Sequence, residues 1–135
     1  MGCSHNIQDN EYSSLVRTLI SCIVKTSKQI NIYIHLSNKI DSYVLRSIID
    51  TKKLHLKALL HIYKLVKGED MNPSVNPSIP EYTFDDLIIE EFKLIETVKA
   101  LSTLLPYQNL IQGCYSIITD INTVSTKLIY LKSLE

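Results

Sequence analysis

The sequence is poor in the residues that interrupt helices. Glycine occurs three times and proline four times in 135 residues, and tryptophan does not occur. Folds built from many short strands need turn residues at frequent intervals, so this scarcity favours a few long helices. A chain of this length forms one domain and buries a core without needing disulfides or metals to hold it.

The sequence also lacks an excess of either positive or negative charge. Fourteen basic residues balance fourteen acidic ones, which leaves no basic surface for nucleic acid or for anionic lipid. No run approaches the roughly 20 apolar residues of a membrane-spanning helix, and the first residues lack the charged and apolar regions of a signal peptide. We expect a cytoplasmic protein that binds neither nucleic acid nor membrane.

The three cysteines are odd in number and widely spaced. They stand at Cys3, Cys22 and Cys114. No Cys-x-x-Cys pair occurs, so the chain encodes neither a thioredoxin-type motif nor a zinc knuckle. We expect reduced thiols, as is usual in the cytosol.

Apolar periodicity predicts four helices, in a domain over residues 11–135 that follows a short disordered tip of residues 1–10. The predicted helices cover about 11–36, 42–67, 83–105 and 107–133. Their inward stripes include Leu19, Ile23, Ile30 and Tyr33 on the first, Val44, Ile48, His55, Leu59, Ile62 and Val66 on the second, and Phe84, Ile88, Glu91, Ile95, Val98 and Leu105 on the third.

A proline-containing crossover separates the second helix from the third. Gly68 is expected to end the second helix, because glycine enters the left-handed region without strain. Thr83 is expected to cap the third helix. The crossover between them, residues 69–82, contains Pro73, Pro77 and Pro80, which no helix interior tolerates.

Connection lengths predict the topology. Short links join the first helix to the second and the third to the fourth, so each pair forms an antiparallel hairpin. The crossover can stretch about 46 Å, and a helix of residues 42–67 is about 39 Å long, so the third helix can start parallel to the second. A repeat of Ser-Ile-Ile at residues 47–49 and 116–118 supports two similar hairpins. The expected fold is an all-α four-helix bundle.

Polar residues interrupt the inward stripes near the middle of three helices. The positions are Thr26 in the first helix, Lys52 and His55 in the second, and Glu91 in the third, while Ile121 and Val124 hold the equivalent place in the fourth. All six should approach one central region of the bundle. Inward-facing stripes should be apolar, so these polar exceptions are informative.

The second and fourth helices resemble those of ferritin-like and rubrerythrin-like diiron proteins. Residues 51–55, Thr-Lys-Lys-Leu-His, followed by Ile62-Tyr63 and Gly68, are similar to the family's Asp-Glu-x-x-His with its Ile-Tyr and Gly ending. Residues 117–131 look like the partner segment. The resemblance implies a ferritin-like bundle, with one Glu on each of two helices and a Glu-x-x-His pair on each of the others.

Two of the six implied ligand positions keep a ligand. By this resemblance Glu91 is the carboxylate of the third helix and His55 the imidazole of the second, and both are vestigial. The substituted positions are Thr26, Lys52, Ile121 and Val124. One carboxylate cannot neutralise two divalent cations, and two ligands fall short of the three or four of a protein metal site. We predict no diiron centre, no cofactor and no diiron oxidase or peroxidase chemistry.

The same substitutions suggest a replacement for the metal. Lys52 and Glu91 occupy positions that converge in the family, so their side chains are expected to form a buried ion pair. In the alternative, Lys52 reaches outward to solvent and Glu91 bonds to His55 or water. Tyr33 and Tyr63 are expected to serve as core packing.

Three functions remain open at this point. The first is a non-catalytic ferritin-like bundle that acts as a binding or structural protein, with a second copy or another protein as partner. The second is a rubrerythrin-like redox or iron-handling protein with a rebuilt iron or manganese site that includes His55 and Glu91. The third is a bundle that holds a lipid-like ligand in an apolar cavity near Ile121 and Val124.

Overall fold

Four helices and no strand make up the part of the chain that the structure describes. The structure is a computed structural model, and it describes the backbone of residues 2–73 and 81–135 and the side chains of residues 10–73 and 81–135. The helices are α1 (Gly2–Ser37), α2 (Tyr43–Lys67), α3 (Phe84–Leu104) and α4 (Gln108–Ser133). The predicted all-α class with four helices is confirmed.

Local capping explains where α2 and α3 begin and where α2 ends. Ser42 caps α2 by accepting a hydrogen bond from the Leu45 N–H, and Gly68 ends it at φ 74°. Thr83 and Asp86 form a reciprocal capping box at the start of α3, at 3.0 and 3.1 Å. Each group satisfies backbone groups that the helix itself leaves without partners.

Helix α1 begins earlier than its apolar periodicity indicates. It starts at Gly2 instead of near Glu11, and no glycine or proline interrupts residues 3–10. The disordered tip of residues 1–10 stays a prediction, and the side chains of residues 1–9 lie outside the described part. So do Pro77 and Pro80, with the rest of residues 74–80.

The core consists of two apolar clusters, one toward each end of the bundle. The first cluster joins the N-terminal halves of α1 and α4 to the C-terminal halves of α2 and α3, and includes Leu19, Ile23, Leu59, Val98, Leu101 and Ile121. The second joins the opposite halves and includes Tyr33, Leu45, Ile48, Leu87, Val124 and Leu128. Helices α2 and α3 therefore run parallel to each other, and both are antiparallel to α1 and α4.

The helices pack in a square whose diagonals are the parallel pairs. Helices α1 and α4 each pack against both α2 and α3. Between α2 and α3, or between α1 and α4, no described Cα atoms come within 8 Å. Residues 69–82 thus connect two diagonal, parallel helices from one end of the bundle to the other.

No helix in the described part of the chain is both long and apolar enough to cross a membrane.

Candidate functional site

A polar layer separates the two apolar clusters at the middle of the bundle. The buried polar side chains at this level are Thr26, Ser27 and Gln29 on α1, Lys52 and His55 on α2, Glu91 on α3 and Ser125 on α4. Ile121 and Val124 on α4, also buried, belong to the first and second cluster respectively. All six positions singled out in the sequence therefore lie in the interior.

Glu91 is the centre of this layer, and protein side chains engage both of its carboxylate oxygens. The Lys52 ammonium donates to Glu91 Oε1. The Tyr33 hydroxyl donates to Glu91 Oε2 at 2.6 Å. The Lys52 and Glu91 side chains are both 0% exposed, so water cannot screen the pair. The structure places the two charges together, and Lys52 does not reach outward to solvent.

Burial dominates the protonation chemistry of the two groups that bind Glu91. It lowers the pKa of Lys52, an effect that the adjacent Glu91 carboxylate opposes. It raises the pKa of Tyr33 well above 10, and the Glu91 charge raises that pKa further. The phenol therefore stays protonated and remains a hydrogen-bond donor at neutral pH. With a charged lysine, the network carries one positive and one negative charge.

His55 bonds to α4 and not to Glu91. Its Nε2 donates to Asp120 Oδ2 at 2.9 Å, and the Asp120 side chain is 55% exposed. Sequence reasoning missed this partner, because Asp120 precedes the inward position Ile121 and lies off the apolar stripe. It also assigned Tyr33 to packing alone, although this hydroxyl is the second donor to Glu91.

Stability is expected to fall as the pH drops below about 6.5, the ordinary pKa of histidine. Burial, with the nearby Lys52 charge, holds the pKa of His55 below that value despite the bond to Asp120. As the pH falls, the unfolded chain therefore binds this proton before the folded chain does. Each pH unit between the two pKa values costs up to about 1.4 kcal/mol. Urea unfolding at about pH 7 and about pH 5.5 measures the loss.

An exposed histidine on the same helix provides the control. His61→Gln should keep the wild-type pH dependence, whereas His55→Gln should lose part of it. A His55→Gln protein whose stability changes with pH as steeply as that of the wild type would contradict this role for His55.

Several polar atoms in the layer have no hydrogen-bond partner among the described residues. They are Thr26 Oγ1, Ser27 Oγ, Gln29 Oε1 and His55 Nδ1. A buried polar atom without a partner costs about 1–3 kcal/mol.

The residues present do not fit a pair of metal ions. Both oxygens of Glu91 already bind Lys52 and Tyr33. Thr26, Ile121 and Val124 bring no anionic donor to the substituted positions. No group of three or more His, Cys, Asp or Glu among the described residues is placed to hold a metal ion.

The two described cysteines are buried and free. Burial raises the pKa of Cys22 to about 12, with a smaller contribution from the nearby Cys114, and it raises the pKa of Cys114 to about 11. Thiolate is the reactive form of cysteine, so neither thiol is a nucleophile at neutral pH. The side chain of Cys3 lies outside the described residues.

A groove of about 470 Å³ lies at the end of the bundle where α2 begins and α4 ends. The exposed apolar side chains Tyr43, Tyr130 and Leu134 line it, together with the Arg46–Asp41 ion pair. It is separate from the polar layer, so a ligand bound there would not touch Glu91.

The chain was also compared with known proteins. No protein-family model, no curated protein and no solved structure matches it.

Proposed function

We propose that this protein is a non-catalytic ferritin-like bundle that acts as a binding or structural protein. In this proposal the Lys52–Glu91 ion pair replaces the metal centre of the fold. The observation that carries it is the state of Glu91, whose two oxygens are held by Lys52 and Tyr33. A metal ion would have to displace a lysine or a tyrosine from a closed interior.

The arrangement of the helices supports the ferritin-like assignment. Two antiparallel hairpins joined by one long crossover are the ferritin-like connection among four-helix bundles. Here α2 and α3 are parallel and lie on a diagonal. The polar layer also lies at the mid-height of the bundle, where facing helices of that fold direct their metal ligands.

Electrostatics argues against diiron chemistry in this interior. Lys52 and Glu91 sum to zero charge, and both are fully buried. Two divalent cations would add about four positive charges that nothing in the layer neutralises, and each uncompensated buried ion costs several kcal/mol. The His55–Asp120 pair supplies only two donors, fewer than the three that catalytic zinc sites use.

Metal content tests the proposal against the rubrerythrin-like alternative. The wild-type protein, purified without nickel affinity, should contain less than about 0.1 iron or manganese per chain by mass spectrometry. Near-stoichiometric iron or manganese would favour a metal-dependent redox or iron-handling protein and overturn the proposal.

A restored ligand set tests the assignment to the fold family. Thr26→Glu, Lys52→Glu, Ile121→Glu and Val124→His together should create binding of two cobalt ions, measured by visible absorption and by titration. The matched control omits Lys52→Glu, keeps the ammonium in the layer and should bind cobalt much more weakly. A folded quadruple variant that takes up no cobalt or iron would show that the positions are wrongly assigned.

A further inference from the structure

The outward face of α4 is exposed and carries no charge. We define the α4 face by its residues Gln112, Tyr115, Ser116, Thr119, Asn122, Thr123, Thr126, Ile129, Tyr130 and Ser133, all of them exposed. The outward side of α3, by contrast, carries Lys93 and Glu96. Depletion of charge together with enrichment in tyrosine is typical of the centre of a protein interface.

The charged residues of α4 in its last four turns bind neighbouring helices and so lie beside the α4 face. Asp120 accepts from His55 of α2 at 2.9 Å. Lys127 donates to Ser47 of α2 at 2.9 Å. Lys132 donates to Asp85 of α3 at 2.6 Å. These contacts place α2 on one flank of the face and α3 on the other, and they leave its centre to uncharged side chains.

Most of the α4 face is symmetric about its midpoint, and the pair Ser116 and Ile129 is the exception. Around a point between Asn122 and Thr123, Tyr115 corresponds to Tyr130, and Thr119 corresponds to Thr126. The buried side repeats this symmetry, with Ile117 matching Leu128 and Ile121 matching Val124. A two-fold axis through that point would bring each residue of one antiparallel helix opposite its counterpart on the other. A second copy of this chain is therefore the partner that the face fits.

Side-chain sizes along the face suit such a contact. Small polar side chains at Thr119, Asn122 and Thr126 allow two helices to approach closely at the axis. Tyr115 and Tyr130 are 51% and 52% exposed, and each would meet the other tyrosine of the partner copy. Aromatic side chains at interfaces bury a large area at a low cost in conformational entropy.

Apolar residues of the neighbouring helices extend the surface. Leu54 and Leu65 follow Ser47 along the α4 side of α2 and are 68% and 58% exposed. Phe92 stands seven residues after Asp85 on the α4 side of α3 and is 49% exposed. The face of α4 alone covers only about 400 Å² per copy, estimated as a strip about 39 Å by 10 Å. A standard interface buries about 800 Å² per partner, so the flanking residues are needed to approach that size.

We infer that this protein forms a two-fold homodimer through the α4 face, with the two α4 helices antiparallel and the axis between Asn122 and Thr123. This inference rests on the proposed function, because it names the partner of a protein that acts by binding. A modest area with few apolar anchors gives a dissociation constant on the order of micromolar.

Charge pairing across the axis tests both the surface and the register. In the dimer, position 119 of one copy faces position 126 of the other. A Thr119→Lys/Thr126→Lys chain should therefore dimerise at least about tenfold more weakly than the wild type, and so should a Thr119→Glu/Thr126→Glu chain. An equimolar mixture of the two should form a 1:1 heterodimer. Sedimentation velocity from about 5 to 500 µM measures all three samples.

The control places the same two lysines on other faces of the bundle. Asn31→Lys on α1 with Thr103→Lys on α3, both at exposed positions, should leave the wild-type dimer intact. Circular dichroism confirms that each variant is folded. Because positions 119 and 126 are too far apart along the helix to touch, the two new charges do not repel each other within one chain.

Three results would overturn the inference. They are a wild-type chain that stays monomeric over the whole concentration range, a double-lysine chain that dimerises like the wild type, and a mixture that stays monomeric. Metal content measured on the same samples separates this inference from the proposed function. A metal-loaded dimer that passes the charge test would overturn the proposed function alone, and a metal-free monomer would overturn the dimer alone.

Discussion

Replacing Lys52 by methionine is expected to lower the free energy of unfolding by about 3–5 kcal/mol. The substitution keeps a long unbranched side chain but leaves the Glu91 carboxylate buried without its cation. Both side chains are 0% exposed, so solvent cannot compensate the charge that remains. Urea denaturation at about pH 7, followed by far-UV circular dichroism, measures the change.

The neighbouring lysine provides a matched control. Lys53 follows directly on α2 and is exposed, so Lys53→Met should change the unfolding free energy by no more than about 0.5 kcal/mol. Adding Glu91→Gln to Lys52→Met removes the stranded charge and keeps an acceptor for the Tyr33 hydroxyl. This double variant should recover most of the loss. If Lys52→Met alone were as stable as the wild type, the lysine would not be compensating Glu91.

The sequence predicts well those helix ends that depend on residues only a few positions apart. Gly68 ends α2 because its φ of 74° lies where other residues are strained. Thr83 starts α3 because its side chain and that of Asp86 satisfy each other's backbone groups. Both depend on contacts within a few positions, so local sequence contains the information.

The hydrogen-bond partners in the polar layer depend on how the helices are set against one another. Tyr33 and Glu91 are 58 positions apart, and His55 and Asp120 are 65 positions apart. Apolar periodicity places a residue on the inner face of its helix. It does not determine the axial register of one helix against another. The resemblance to a diiron family predicted that Lys52 and Glu91 lie together, whereas the Tyr33 donor and the Asp120 acceptor depend on the register between helices, which the local sequence does not determine.

The polar layer restricts the axial register of the helices. The two apolar clusters on either side of it consist largely of leucine and isoleucine. A shift of α2 by one turn would move the Lys52 ammonium about 5.4 Å, away from Glu91 and toward an apolar cluster, where an unpaired charge costs several kcal/mol. The ion pair therefore disfavours the shifted register, as buried polar residues do in helical coiled coils.

Tyr33→Phe should lower the free energy of unfolding by about 1.5–3 kcal/mol, the range for a hydrogen bond to a charged group. The variant keeps the aromatic ring in the second cluster and removes only the donor to Glu91 Oε2 at 2.6 Å. Because burial holds the pKa of Tyr33 far above neutrality, the loss should be the same at about pH 6 and about pH 8. Urea denaturation at both pH values measures it.

Tyr63 supplies the control for the loss of a tyrosine hydroxyl that is not bonded to Glu91. It is buried in the first cluster, and its hydroxyl has no hydrogen-bond partner among the described residues, so Tyr63→Phe should cost at most about 0.5 kcal/mol. Placed in the Lys52→Met/Glu91→Gln background, Tyr33→Phe should cost less than in the wild type, since the acceptor is then a neutral amide. Equal costs in the two backgrounds would show that the hydroxyl stabilises the bundle independently of the Glu91 charge, and the three-residue network would not act as a unit.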